Sequence, residues 1–143
     1  MEKYFIPYET GIPTKLVELG FDEECMGIYN KTEFGTYGGG GITQPVGTLF
    51  LVGKTKKDGT LNPDFIPAPM YCQVENWLRE KHNISLQFSH QNNGYYHITL
   101  LSTNDNSKIW GCGNFPYFEG LLFAIENAIC LIAYKRNNYE LGR

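Results

Sequence analysis

The stretch ISLQFSHQNNGYYHITLL, Ile84–Leu101, decides the fold. Apolar and polar residues alternate on both sides of its Asn-Asn-Gly triplet, which is typical of two strands that each cover one face. Because directly opposed residues of an antiparallel pair share a face, a two-residue turn would set apolar Phe88 against polar Thr99. A three-residue loop, Asn92–Gly94, sets Phe88 against Ile98 instead. The pattern therefore predicts a hairpin with an odd loop and its glycine in the left-handed conformation.

This register predicts which hairpin residues are buried and which face outward. The inward set is apolar and comprises Ile84, Leu86, Phe88, Tyr96, Ile98 and Leu100. The outward set on the second strand comprises Tyr95, His97, Thr99 and Leu101. Tyrosine, histidine and threonine offer flat contact area together with hydrogen-bonding groups, so this outward face is a candidate binding surface. An ordinary solvated sheet face and a contact between copies of the chain are the alternatives.

Around the hairpin, helical spacing of apolar residues predicts a helix from Met70 to His82 and another from Pro116 to about Lys135. A shorter helix is expected from Pro13 to Leu19. Further strands are expected at 25–29, 47–52 and 109–112, and the second of these is apolar enough to be covered on both faces. These elements predict one α+β domain over residues 1–143. Its mainly antiparallel sheet of about five strands would carry the two main helices on one face.

The composition of the 143-residue chain excludes some classes of function. The net charge is −3 without basic clusters of the kind that bind nucleic acid, so no nucleic-acid partner is expected. We expect no export signal and no membrane span, because Glu126 and Asn127 interrupt the longest apolar stretch, 121–134. The four cysteines form no Cys-x-x-Cys pair, which indicates a reducing, cytoplasmic setting without a metal or other cofactor. The aromatic content of 15% is high and favours a binding surface.

Two stretches carry a family resemblance: FIPYETGIPTKLVELGFDEECMGIYN, Phe5–Asn30, and PAPMYCQVENWLREKHNI, Pro67–Ile84. With a closing helix after an aromatic meander, they resemble a family of small proteins of Bacteroidetes genomes and their phages. The segment around 31–65 departs from that pattern as a glycine-rich loop insertion. The resemblance implies a phage or mobile-element setting, with the host cytoplasm as location if the chain is phage-encoded. The family has no established activity, so no catalytic residue is carried over.

The glycine run Gly38–Gly41 lacks the Gly-Lys-Ser/Thr ending of a phosphate loop, and we interpret it as a flexible loop or a cover over a ligand. His97-Ile98-Thr99 matches only half of the paired His-x-Thr pattern of two-histidine phosphoesterases. A pair of Cys112 with His97 would need neighbouring strands in the right register, so no catalytic residue is assigned.

The hypothesis favoured by the sequence is a binding protein that sequesters a small molecule or a host protein, with an anti-defence role in a phage setting. The alternatives are a small hydrolase or transferase of unrecognised type and a structural accessory protein, and a homo-oligomer is a further candidate. The candidate ligand or partner residues are Tyr95, His97, Thr99, Gly39 and Gly40.

Overall fold

A computed structural model describes residues 2–35, 43–53 and 64–141 of the chain. The chain divides into two compact units, Met1–Met70 and Tyr71–Arg143. Helices and antiparallel sheets make it α+β, as predicted. The prediction of a single sheet of about five strands was wrong. Among the described residues, six strands form two three-stranded antiparallel sheets, and two further short strands form a separate ribbon. All strands of a sheet come from the same unit, because strands that are close in sequence can be paired through short connections. That residues 1–143 form one domain stays a prediction.

The N-terminal unit holds one short helix and a sheet in the order β4-β1-β5, with the ribbon β2-β3 beside it in sequence. Two 3₁₀ turns, Glu2–Tyr4 and Tyr8–Thr10, precede the helix. The other elements are α1 (Ile12–Glu18), β1 (Gly27–Asn30), β2 (Phe34–Gly35), β3 (Thr43–Gln44), β4 (Leu49–Leu51) and β5 (Phe65–Ala68). β5 accepts Pro67 because it is an edge strand, where a missing N–H disrupts no ladder on its open side.

The core of this unit is built on β1, whose four residues are all buried because β1 is the central strand. Tyr29 packs there in a cluster with Phe5, Ile66 and Ala68. The expectation that the apolar run 47–52 is covered on both faces was wrong. Leu51 is 56% exposed and Val52 is 47% exposed, since β4 lies at an edge of the sheet.

In chain order, the C-terminal unit consists of a helix, a three-stranded meander and a second helix. Its elements are α2 (Tyr71–His82), β6 (Ile84–His90), β7 (Tyr95–Ser102), β8 (Lys108–Pro116) and α3 (Tyr117–Leu141). Both main helices were predicted within a few residues of their observed starts. β8 is longer than the predicted 109–112, because after an irregularity in the register the pairing with β7 resumes at Phe115 and Pro116.

The hairpin register is confirmed. Phe88 lies opposite Ile98, and the amide of Gln91 donates to the carbonyl of Tyr95 at 2.8 Å, which leaves a loop of three residues. Gly94 has φ 80°, the left-handed conformation that the sequence pattern predicted. Asn93 is also left-handed, at φ 57°, as asparagine tolerates better than most residues.

The core of the C-terminal unit lies between α3 and the inward face of the meander, where Ile98, Leu100 and Ile125 are fully buried. Gly120 allows the first turns of α3 to approach the sheet, since a Cβ there would overlap the side chain of Ile98. The helix is 25 residues long. By length and composition alone, its segment Tyr117–Asn137 could cross a membrane, although its inner face packs on the sheet. The expectation of no membrane span stays a prediction.

Candidate functional site

Asn30 ends β1 with a side chain that is 0% exposed and fully hydrogen-bonded. Its Nδ2 lies 3.0 Å from the carbonyl oxygen of Thr32, 3.2 Å from that of Gln44 and 2.9 Å from that of Pro45. Its Oδ1 accepts from the amide of Thr48 at 2.7 Å. One amide side chain thus ties the end of β1 to the backbone on both sides of the ribbon. A buried polar group is stable only when it is paired in this way.

The turn that Asn30 holds comprises residues 45–48. The amide of Gly47 donates to the backbone carbonyl of Asn30 at 2.9 Å, and the hydroxyl of Thr48 donates to the carbonyl of Pro45 at 2.6 Å. Gly47 has φ 84°, as expected for glycine at the third position of a type II turn. A Cβ on Gly47 would also lie only 2.9 Å from Cδ1 of Tyr8. Both the backbone conformation and the contact with Tyr8 therefore require glycine.

A pocket of about 320 Å³ lies in the N-terminal unit, bordered by the Tyr8–Thr10 turn, β1, the 45–48 turn and β4. Its volume falls at the lower end of the range of small-molecule sites. The described residues that line it are Phe5, Pro7, Tyr8, Glu9, Tyr29, Gly47, Thr48 and Leu49.

Aromatic rings form two of the pocket walls. The rings of Tyr8 and Tyr29 have centroids 5.7 Å apart and are tilted by 53°. The hydroxyl of Tyr29 donates to the carbonyl of Ile6 at 2.7 Å, which fixes that ring in the core. Glu9 is the charged side chain among the described lining residues, and it is exposed to solvent.

The predicted surface residues Tyr95, His97 and Thr99 share the outward face of β7, away from buried Ile98 and Leu100. Tyr95 is exposed, whereas His97 and Thr99 are half-buried. The imidazole of His97 lies over Gly113 of β8, where a Cβ would lie 2.9 Å from its Nδ1. The side chain of Lys108 lies over Gly111, where a Cβ would lie 2.7 Å from its Cε.

The two glycines of the predicted site, Gly39 and Gly40, lie outside the described residues. The structure therefore brings together three of the five predicted residues, and their binding role stays a prediction.

The structure does not bring Cys112 and His97 together as a nucleophile and base. Cys112 lies directly opposite Ile98, so its side chain shares the inward face, whereas His97 occupies the outward one.

The other cysteines differ from one another in environment. Burial, with a smaller contribution from Glu23, raises the pKa of the Cys25 thiol to about 12, and this thiol donates to the carbonyl of Glu23 at 3.5 Å. Cys72 and Cys130 lie in helices, as predicted, but both are exposed and do not act as small core residues. Among the described residues, no group of three His, Cys, Asp or Glu side chains could hold a metal ion.

The pocket was not predicted from the sequence. The sequence signal that could have indicated it is Pro45-Val46-Gly47-Thr48, which follows the strand that ends in Asn30. The spacing of its proline and glycine is typical of a tight turn. No sequence pattern shows that the turn would close against Tyr8, because that contact depends on the tertiary fold.

Comparisons of the chain with protein-family models, with curated proteins and with solved structures find no match. The resemblance to the phage family stays a prediction.

We predict that Asn30→Asp destabilises the N-terminal unit. The substitution keeps the shape but replaces the Nδ2 donors with a carboxylate oxygen that faces three carbonyl oxygens. The free energy of unfolding should fall by at least about 2 kcal/mol, because a buried charge without partners is costly. Chemical denaturation measures this change. Asn76→Asp, at an exposed position on α2 where Oδ1 accepts from Arg79, is the matched control and should be nearly neutral. Equal stabilities of the two variants would contradict the role of Asn30.

Proposed function

We propose that the protein binds a small molecule in the pocket of its N-terminal unit. The observation that carries the proposal is the pocket of about 320 Å³ whose 45–48 wall is held by the buried side chain of Asn30. A wall fixed before binding does not have to be ordered by the ligand, so less of the interaction free energy is lost on association.

The lining combines apolar and polar surface in similar amounts. The half-buried side chains of Tyr8 and Leu49 supply contact area, whereas Phe5 and Tyr29 are almost fully buried. Polar groups at the Glu9 and Thr48 positions can orient a ligand. The proposed role is to retain the ligand without covalent chemistry. In the phage or mobile-element setting that the resemblance implies, retention means sequestering a small molecule of the host.

The proposal predicts that compounds which fit the pocket shift the NMR signals of its lining residues. We would titrate ¹⁵N-labelled protein with a fragment set of mixed charge, up to about 1 mM, where even weak ligands populate a site. The amides of Tyr8, Tyr29 and Thr48 should respond together, because they border one cavity.

Leu49→Trp is the variant that tests the location, because a larger side chain on the half-buried wall fills the cavity. Val52→Trp is its matched control at an exposed position that does not line the pocket. Fragment responses should disappear in the first variant and persist in the second, with both variants folded by their amide spectra. If no fragment shifts the lining residues, or if Leu49→Trp leaves all responses intact, the pocket is not the binding site.

We propose, as a second candidate function, that the outward face of the β6-β7-β8 sheet binds a second copy of the chain. The specific observation is the ring of Tyr95, which is 45% exposed on the same face as the side chains of His97 and Lys108, and these two lie over Gly113 and Gly111. Tyrosine is enriched at interfaces between proteins. Thr99 lies directly opposite Gly111 and adds a hydrogen-bonding hydroxyl to the same face.

For this candidate we predict that the double substitution Tyr95→Ala with His97→Ala splits a homo-oligomer while changing the free energy of unfolding by less than about 1 kcal/mol, as for most exposed sites. Native mass spectrometry measures the assembly. Glu80→Ala with Lys81→Ala, at exposed positions on α2, is the control and should leave the assembly intact. A wild-type protein that is monomeric, or a double variant that assembles normally, would refute the interface.

A further inference from the structure

The three strands of the β6-β7-β8 sheet contain no Asp or Glu, although the chain as a whole has a net charge of −3. Their basic side chains are those of Lys108, His90 and His97. The acidic residue between β7 and β8 is Asp105, whose carboxylate accepts from the amide of Ser107 at 3.0 Å. The strands are therefore basic in a chain that is acidic overall.

Two of these basic side chains converge on the outward face of the sheet. A Cβ on Gly111 would lie 3.1 Å from Nζ of Lys108 and 3.4 Å from Nε2 of His97. Both nitrogens are thus within hydrogen-bonding distance of one point above this glycine. The atom nearest to that point is Cε of Lys108 at 2.7 Å, and a small rotation of this exposed, flexible side chain admits a ligand oxygen.

Thr99 adds a hydroxyl group to the same place, because it lies directly opposite Gly111 on β7. Directly opposed residues of an antiparallel pair have Cβ positions about 5 Å apart, so Thr99 borders the point above the glycine. Within the part of the chain that the structure describes, the side chains of Lys108, His97 and Thr99 make no hydrogen bond or ion pair. Their donors are therefore available to a ligand.

These groups suit an oxyanion. The ammonium group and the imidazole supply N–H donors, and the threonine supplies an O–H donor. Gln87 and Ser89, which lie opposite Thr99 and His97 on β6, add neutral donors and no negative charge. Donors from three residues match the three terminal oxygens of a phosphate ester, whereas a carboxylate has two oxygens. A phosphate monoester also carries a charge of roughly −1.5 to −2 at pH 7.

We infer that the outward face of the β6-β7-β8 sheet binds the phosphate group of a small phosphate ester above Gly111. Lys108 supplies the positive charge, and His97 and Thr99 donate to the remaining oxygens. The exposed ring of Tyr95 lies further along the same face and offers contact area to the organic group of the ester. This site is separate from the pocket of the N-terminal unit, and its ligand is an occupant different from a second copy of the chain.

Four probes at matched ionic strength test the ligand class: inorganic phosphate, phenyl phosphate, acetate and benzyl alcohol. Each is titrated into ¹⁵N-labelled protein up to about 10 mM, because a site built from solvent-exposed charges is weak. The amides of Thr99, Gly111 and Gly113 should shift with both phosphates. Acetate should bind at least about fivefold more weakly, and benzyl alcohol should leave these amides unchanged. Phenyl phosphate should bind at least as tightly as inorganic phosphate, since its ring can contact Tyr95.

Substitutions test the location of the site. Lys108→Gln removes the charge and should lower the affinity for phenyl phosphate about tenfold, a difference of about 1.4 kcal/mol. Lys81→Gln, at an exposed lysine on α2, is the matched control and should not change the affinity. Gly111→Ala places a methyl group at the binding point and should also weaken binding. This variant should fold, because the methyl group meets the flexible end of Lys108.

Three results would overturn the inference: no shift of the three amides with either phosphate, equal affinities for phosphate and acetate, or an unchanged affinity in Lys108→Gln and Gly111→Ala. Tighter binding of inorganic phosphate than of phenyl phosphate would overturn the assignment to an ester. If native mass spectrometry finds an oligomer and neither phosphate shifts the three amides, a second copy occupies the face instead. Each of these results leaves the N-terminal pocket standing, because its ligands are detected at Tyr8, Tyr29 and Thr48.

Discussion

The side chain of Asn30 is the constraint on which the N-terminal unit depends. At the end of the central strand, a single side-chain amide reaches three backbone carbonyls and one backbone amide, which belong to four different residues. Each of these bonds is worth about 1 kcal/mol, but the cost of leaving the buried groups unpaired is larger, so the set forms or breaks together. The 45–48 turn, and with it one wall of the pocket, therefore has a defined position.

The same hydrogen bonds that hold the wall also determine the chemistry of the pocket. They consume the amides of Gly47 and Thr48 and the hydroxyl of Thr48, so the wall presents oxygen lone pairs and apolar surface. A substitution of Asn30 that frees these donors therefore also removes the hydrogen bonds that hold the turn.

Features that depend on a local sequence pattern were predicted correctly. The hairpin register followed from the alternation of apolar residues, since a slip by one position would bury Thr99 in place of Ile98. The pairing of distant strands was not predictable: β1 and β4 were expected in one sheet with the hairpin, because a strand pattern does not say which strand it pairs with. The pocket was missed for the same reason, as Asn30 and Thr48 are 18 residues apart and nothing local marks their contact. The outward set on β7 was predictable from the same alternation.

Amide hydrogen exchange at Gly47 and Thr48, followed by NMR on the wild-type protein, tests the central claim most directly. If the Asn30 network holds the wall, both amides exchange as slowly as those of the β1 ladder, because they open only when the buried side chain is released. The amide of Asn104, which donates to a serine hydroxyl in an exposed turn of the other unit, provides a fast reference. Exchange of Gly47 and Thr48 at the rate of that reference would contradict the account, since the wall would then open without breaking the core.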